Sequence, residues 1–382
     1  MNKIGITFGG YCPMHQGHLE SIMQAKKECD EVYVVVCGYE NEPRANELGL
    51  SYQKRLKLIQ DYFKDDEIIS VIGVNDTELG IDDESMSMFN WHIWLDDVFR
   101  KISHQSGIMT LIEDDEPVHY FGENPIYIYV GEPKYYQALE ELKNDYSIEP
   151  VLVGVTDDGE RINGISATVI RQNPLKYWNK ITAPFKPYLT KRILITGTAS
   201  EGKTTMVKDL ARYFQCPYTT EYGRDYMELR SMKDPDLTFQ EFFNFLYGQN
   251  TYYRDALKSP GNNGVIISDT DNIVTLMYAR AYVDNPEMQI NMDEYLTLYN
   301  CVKHMQGEIK WDKIFVLPPR NTFVDDGSRY MGQSSMEERQ ANFDKLMGLL
   351  EDFGLMDKVE VLFSDFSGNF NRVKDYINGL YL

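Results

Sequence analysis

The chain has no long hydrophobic run. Its apolar stretches, such as Val32–Cys37 and Ile126–Val130, fall far short of the roughly 20 residues that a membrane-crossing helix needs. No basic segment followed by a long apolar core opens the sequence, so Met1–Phe8 reads as a strand and not as a secretory leader. Cysteine is scarce: five in 382 residues, at 12, 29, 37, 216 and 301, with no C-x-x-C pair. That argues against a disulfide scaffold and a cysteine zinc site, and it fits a reducing cytoplasm. Positive charge is short too. Lys and Arg number 38 against 59 Asp and Glu, for a net charge of −21. A nucleic-acid backbone binder carries a basic face, so DNA is not an expected partner. Anionic ligands must be met by local lysines, arginines, helix N-termini or Mg²⁺ that overcome the field of the whole chain.

What remains is an ordinary globular composition, 43% hydrophobic and 25% charged, at a length that suits about two domains. Apolar strand-like runs alternate with helical patterns, which predicts an α/β fold with mainly parallel sheets. The first series has strands at Lys3–Phe8, Glu31–Cys37, Ile68–Val74, Tyr127–Val130 and Pro150–Val155. Helical patterns lie at Leu19–Cys29, Tyr52–Phe63, Asn90–His104 and Lys134–Lys143, with Ser51 placed to cap the second. The alternation restarts at Lys191–Thr196 and continues through strands at Val265–Asp269, Lys313–Leu317 and Val359–Ser364. Between the series, Ile181–Tyr188 carries two prolines and reads as a stiff connector. Domains are therefore expected at 1–186 and 187–382.

After the first strand comes Gly9-Gly10-Tyr11-Cys12-Pro13-Met14-His15-Gln16-Gly17-His18. Glycines let the backbone approach a ligand closely, and the helix that follows points its amides at an anion. His15 and His18 stand at that helix start; zinc would need further ligands that the spacing does not supply. The segment resembles the GxFxPxHxGH signature of the nucleotidylyltransferase superfamily, with Tyr11 in the aromatic slot. Ile165-Ser166-Ala167-Thr168-Val169-Ile170-Arg171 resembles the ISxTxxR motif of the same superfamily. Ser166, Thr168 and Arg171 then suit triphosphate oxygens. The chemistry expected is adenylyl transfer. A phosphate nucleophile is already anionic, so donors suffice: alignment and charge stabilisation replace a base.

The second half holds Gly197-Thr198-Ala199-Ser200-Glu201-Gly202-Lys203-Thr204, followed by Thr205. It fits the P-loop pattern between a strand and a helix. The loop amides would cradle phosphates, Lys203 would reach the β- and γ-phosphates, and Thr204 would face Mg²⁺. Asp269 ends a buried-type strand, the natural second magnesium position. Asp271 reads equally as a ligand-binding acid and as a helix cap. Glu221 and Arg224, in Thr220–Asp225, read as substrate-hydroxyl recognition or a general base, or as a plain ion pair. Arg329, in Asp325–Arg329, reads as a phosphate-closing arginine or as part of an acidic loop.

An adenylyltransferase half followed by a P-loop kinase half resembles the bifunctional NadR family. The resemblance extends to Val130–Lys134, Ile165–Pro174 with Tyr177-Trp178, Glu221–Arg224, Asp269–Asp271 and Asp326–Arg329. It implies that the C-terminal half phosphorylates nicotinamide riboside to nicotinamide mononucleotide with ATP. The N-terminal half would join the mononucleotide to AMP from a second ATP, giving NAD. Some family members carry a DNA-binding helix-turn-helix before the first strand; here that strand begins almost at Met1, so repression is not expected. Trp91, Trp94 and Trp178 are candidates for ring stacking, with core packing the alternative. Pantetheine-phosphate, flavin or cytidylyl chemistry on the same first motif stays open. So do a nucleotide-responsive regulatory role and a homo-oligomer.

Overall fold

The structure is a computed structural model and describes residues 2–81, 88–106, 110–113, 116–119, 124–154, 165–321 and 335–381. The chain divides into two compact units, Met1–Leu189 and Thr190–Leu382.

In the first unit the chain order is β1 (Ile4–Gly9), α1 (Gln16–Glu28), β2 (Glu31–Gly38), α2 (Pro43–Leu48), α3 (Tyr52–Phe63), β3 (Ile69–Asn75) and α4 (Met88–Ser106). A short antiparallel pair follows, β4 (Thr110–Glu113) and β5 (Glu116–His119). Then come β6 (Ile126–Val130), α5 (Pro133–Tyr146), β7 (Ile148–Leu152), α6 (Ala167–Gln172) and α7 (Lys186–Leu189). The main sheet has the order β3-β2-β1-β6-β7, with every pairing parallel.

A parallel sheet is covered on both faces, and the side chains of β2 divide accordingly. Val32, Val34 and Val36 pack with Ile22 and Ala25 of α1 and Ile59 and Phe63 of α3. Tyr33 and Val35 face the opposite core, with Trp94, Leu95 and Val98 of α4 and Leu139 and Leu142 of α5. The strand order reverses at β1. The crevice between β1 and β6, at their carboxyl ends, is where such sheets bind ligands.

The second unit runs β8 (Lys191–Gly197), α8 (Lys203–Phe214), β9 (Tyr218–Thr219), α9 (Tyr222–Arg230), α10 (Phe239–Lys258), β10 (Val265–Asp269), α11 (Asn272–Val283) and α12 (Met292–Gln306). It ends with β11 (Lys313–Leu317), α13 (Met336–Asp352), β12 (Val359–Val361) and α14 (Phe366–Gly379). Its sheet order is β12-β11-β8-β10-β9, again wholly parallel. Leu194 and Ile266 face a large core that includes Phe242, Leu246, Met277 and Leu298. On β11, Phe315 meets Tyr376 of α14 edge to face.

Several sequence expectations shift. The last strand of the first sheet lies at Ile148–Leu152, upstream of the expected Pro150–Val155, because Pro150 pairs within the ladder and does not start it. β12 is shorter than expected, since Ser364 is already bonded to Asn369 of α14. α2 and α9 have too few turns to show a periodicity. Among the described residues, no helix is long and apolar enough to cross a membrane, and all five cysteines are unpaired.

Candidate functional site

The first site is a cleft of about 480 Å³ in the N-terminal unit, lined from the carboxyl ends of β1, β6 and β7 and the start of α6. His15 caps α1. Its Nδ1 accepts the Gly17 N–H at 3.1 Å, and His18 Nδ1 accepts the His15 N–H at 3.3 Å. This reciprocal pair is a capping box made of two imidazoles. A neutral ring that accepts at Nδ1 in this way carries its proton on Nε2. The rings stack with centroids 3.9 Å apart, and Tyr11 meets His18 edge-on at 4.7 Å. His18 Nε2 lies beside the Gly9 backbone, 3.8 Å from where a Cβ there would sit. The His-x-x-His spacing thus turns a local cap into a pair of oriented donors.

Ser166 caps α6 through a 3.2 Å bond from the Val169 N–H. Arg171 spans the cleft wall: its Nη1 donates to the Cys12 carbonyl at 2.6 Å and its Nη2 to the Thr168 hydroxyl at 3.0 Å. The two motifs, far apart in sequence, therefore meet directly. Gly9, Gly10, Tyr11, His15, His18, Ser166, Thr168 and Arg171 all line one cleft. Trp91 and Trp94 line it too, but as buried members of a core with Phe8 and Tyr135. Trp178 belongs to the other core, under the Lys186 ammonium at 5.5 Å, and does not line the cleft.

Three cleft residues, Glu42, Arg44 and Asp76, carried no sequence signal. Glu42 and Arg55 form a buried ion pair at 2.8 Å, and Arg44 also pairs with Glu42. Asp76, just past β3, has its carboxyl pushed up to about 6, chiefly by burial and then by the charge of Glu42.

The second site lies in the C-terminal unit, at the carboxyl ends of β8, β9 and β10. At Gly197 φ is 138°, and an added Cβ would lie 2.3 Å from the Leu317 carbonyl oxygen. Only glycine lets the phosphate loop leave the sheet there. Ser200 and Gly202 continue the loop with φ of 63° and 79°. Lys203 opens α8, and its Nζ donates to the Thr198 carbonyl at 2.7 Å across the loop. Thr205, one turn position on, is exposed.

Asp269 is 1% exposed, and its Oδ2 accepts from the Thr204 hydroxyl at 2.5 Å. Its Oδ1 is buried and has no hydrogen-bond partner among the described residues. Burial pushes its carboxyl up to about 6, with Lys203 opposing the rise and Glu221 adding to it. An orphaned carboxylate oxygen beside a hydroxyl suits a hard cation with oxygen ligands. Among the described residues, no group of three or more His, Cys, Asp or Glu could hold a metal by itself. The site fits Mg²⁺ that takes most of its ligands from water and phosphate.

Lys203, Ala199, Glu221 and Arg224 line a cavity of about 100 Å³, with Asp234, Phe242, Phe245, Tyr278 and Tyr282 as its far walls. Glu221 and Arg224 form an ion pair at 3.5 Å and face the cavity together. The segment that carries them is held by Gln249 of α10. Its Oε1 accepts the Tyr222 N–H at 2.8 Å and its Nε2 donates to the Thr220 carbonyl at 3.1 Å. Gln249, Asp234 and the aromatic walls lie outside every local motif, and only folding identifies them.

Of the two roles open to Asp271, the structure shows the cap: it caps α11 through the Ile273 N–H at 3.0 Å and accepts from Trp311 Nε1 at 3.2 Å, and it does not line the cavity. The Glu201 side chain pairs with Arg339 inside the protein, so the part of Glu201 offered to the loop is its backbone amide. Arg329 and the rest of Asp325–Arg329 lie outside the described residues.

Comparisons with known proteins cover both units. A family described as cytidylyltransferase-like matches residues 6–173, and one described as an AAA domain matches residues 192–364. Two relatives named trifunctional NAD biosynthesis/regulator protein NadR, from Salmonella typhimurium LT2 and Escherichia coli K12, are each 27% identical. Each alignment covers 98% of this chain and 82% of the relative. A solved NadR protein in complex with NR superposes with a TM-score of 0.80 at 28% identity. A NadR protein with NAD and AMP-PNP gives 0.79 at 28%. Both matches cover 100% of this chain and 96% of that one.

Proposed function

This chain is a homologue of the NadR proteins over nearly its whole length, and from that premise we propose that it is a bifunctional NAD salvage enzyme. The C-terminal unit transfers the γ-phosphoryl group of ATP to the hydroxyl of nicotinamide riboside, giving nicotinamide mononucleotide and ADP. The N-terminal unit joins that mononucleotide to AMP from ATP, giving NAD and pyrophosphate. One observation carries the reading. Each unit has its own pocket beside a glycine loop and a helix start at the carboxyl edge of its own parallel sheet, in a chain that matches NadR structures end to end.

In the N-terminal cleft the attacking group is a phosphate oxygen, so no residue has to remove a proton. His15 and His18 present Nε2–H donors while neutral, fixed by the cap that holds Nδ1. With Thr168 and Arg171 they stabilise charge as the phosphorus–oxygen bond to pyrophosphate breaks. In the C-terminal unit the nucleophile is a hydroxyl, and an acid stands at the cavity to receive its proton: Glu221, oriented by Arg224. Lys203 meets the β- and γ-phosphates. Thr204 and Asp269 would hold Mg²⁺, which when bound neutralises phosphate charge. The nicotinamide ring of the riboside is a pyridinium cation. A cavity walled by Phe242, Phe245, Tyr278 and Tyr282 with Asp234 suits a cationic ring. The five unpaired cysteines fit a cytoplasmic location.

The test is chromatography of a reaction with nicotinamide riboside, ATP and Mg²⁺. Mononucleotide should appear first and NAD after it. Parallel reactions contain riboflavin or pantetheine phosphate. If either of those is consumed and the riboside is not, the substrate assignment is wrong.

A further inference from the structure

We infer that Glu201 and Arg339 form a buried charge pair that positions the phosphate loop of the C-terminal unit for ATP. The inference rests on the kinase reading above and deepens it. Glu201 is 4% exposed and Arg339 is 2% exposed. Arg339 Nη2 donates to Glu201 Oε1, and its Nη1 donates to the Asn321 carbonyl at 2.6 Å. Glu201 also accepts the Arg320 N–H at 3.0 Å and the Asn321 side-chain amide at 2.8 Å. The Arg320 side chain reaches the Ser364 carbonyl at 3.3 Å. One carboxylate in the phosphate loop is thereby tied to the segment after β11 and to the first turns of α13.

Two features make this more than a structural brace. Glu201 lies between Ser200 and Gly202, which both have positive φ, in the backbone geometry that aims successive N–H groups at an anion. Its side chain therefore anchors the peptides that meet the phosphates. Electrostatics gives the second. Glu201 is two residues before Lys203, so its negative charge opposes a triphosphate bound at the loop. Arg339 offsets that charge from the protein side and leaves the loop side to the ligand. Burial lowers the tendency of Arg339 to stay protonated, and the carboxylate against it counters that cost.

The two partners should then fail unequally. Arg339→Met leaves a buried carboxylate uncompensated beside the phosphates. Glu201→Gln removes the opposing charge and keeps an acceptor for Asn321. In the full-length protein, Arg339→Met should raise the KM for ATP about tenfold or more, within the usual range of a site-to-site coupling. The KM for riboside should change far less. Glu201→Gln should raise the ATP KM only a few-fold, and the double variant should recover most of the loss. Arg339→Lys should stay near wild type.

Calorimetry of riboside binding without ATP reports whether the unit is folded. If Arg339→Met binds no riboside, the Arg339→Lys, Glu201→Gln and double variants decide the matter by the same ordering of ATP KM. Equal losses in both KM values, or a fall in kcat and thermal stability with ATP KM unchanged in every variant, would overturn the inference and leave a purely structural pair. If wild-type protein does not phosphorylate the riboside at all, it is the kinase reading that fails. Titration of the same variants with AMP-PNP then tests the pair on its own.

Discussion

The two phosphate sites solve different chemical problems with different residues. The N-terminal cleft is wide, about 480 Å³; its two motifs contribute imidazoles, hydroxyls and Arg171, and Arg44, Glu42 and Asp76 stand on its wall. The C-terminal cavity is about 100 Å³ and places Lys203 against Glu221 and Arg224, with the buried Asp269 behind the loop. The contrast follows from the nucleophile. A phosphate monoester arrives ionised and needs only alignment and donors. A hydroxyl has to lose a proton, and the metal that tames the triphosphate has to be held, so acids are required. In the proposed reactions the first site releases a large dinucleotide and the second takes a small cationic riboside.

The strongest way to break this comparison is to disable each site separately. His18→Ala should slow adenylyl transfer by about 10²–10³ and leave riboside phosphorylation intact, so mononucleotide accumulates. Lys203→Ala should slow phosphorylation by on the order of 10³ yet still make NAD from supplied mononucleotide. Chromatography of the nicotinamide species over time reads both. Loss of both steps from either substitution in a folded protein would mean that the sites are not independent.

Asp269 sharpens the contrast through pH. Its carboxyl titrates near 6 in the folded protein against an ordinary 3.8, so the folded state holds a proton that the unfolded chain has lost. Ionisation therefore costs stability, and the cost develops as pH rises from about 4 through 6. It is on the order of 2–3 kcal/mol at neutral pH in the absence of metal. Asp269→Asn should raise the unfolding temperature of the metal-free C-terminal unit at pH 7.5 and change it little at pH 4. Phosphorylation in the same variant should be largely lost. In wild type, metal affinity should weaken as pH falls below about 6, where protons compete. Metal titration at several pH values checks this, and a flat profile would remove Asp269 from the metal site.

A smaller effect is expected from Gly248→Ala on α10. An added Cβ would lie 2.1 Å from the Tyr222 ring, in the segment that Gln249 holds. The overlap should cost about 1–3 kcal/mol and misplace Glu221. Phosphorylation should fall several-fold while adenylyl transfer is unaffected. Last, expression as residues 1–189 and 190–382 should give two soluble fragments, each with a cooperative transition. Division after residue 186 strips Leu189 from the N-terminal core, where it is 4% exposed. That fragment should be less stable by about 2 kcal/mol or more, as denaturant melts will show.

The amino-acid sequence by itself determined the architecture and the two glycine loops with the helix starts that follow them. Alternating apolar runs demand parallel sheets, and each loop is written in neighbouring residues: a strand end, a glycine turn, a helix start. Such features act over a few residues, so their spacing survives in the linear text. His15 and His18 cap one helix three residues apart; Lys203 bonds within its own loop. Tertiary structure decided which charges are buried together and which side chains face the ligand. Glu201 and Arg339 are 138 residues apart, and no local pattern pairs them. Asp271 and Asp269 look alike in sequence, but the turn between them at Thr270, with φ of 63°, sends one to Trp311 and the other to Thr204. Asp234, Gln249 and Asp76 reach their sites from separate elements. Burial, charge pairing and pKa depend on distances through space, and those exist only once the sheets have closed on their helices.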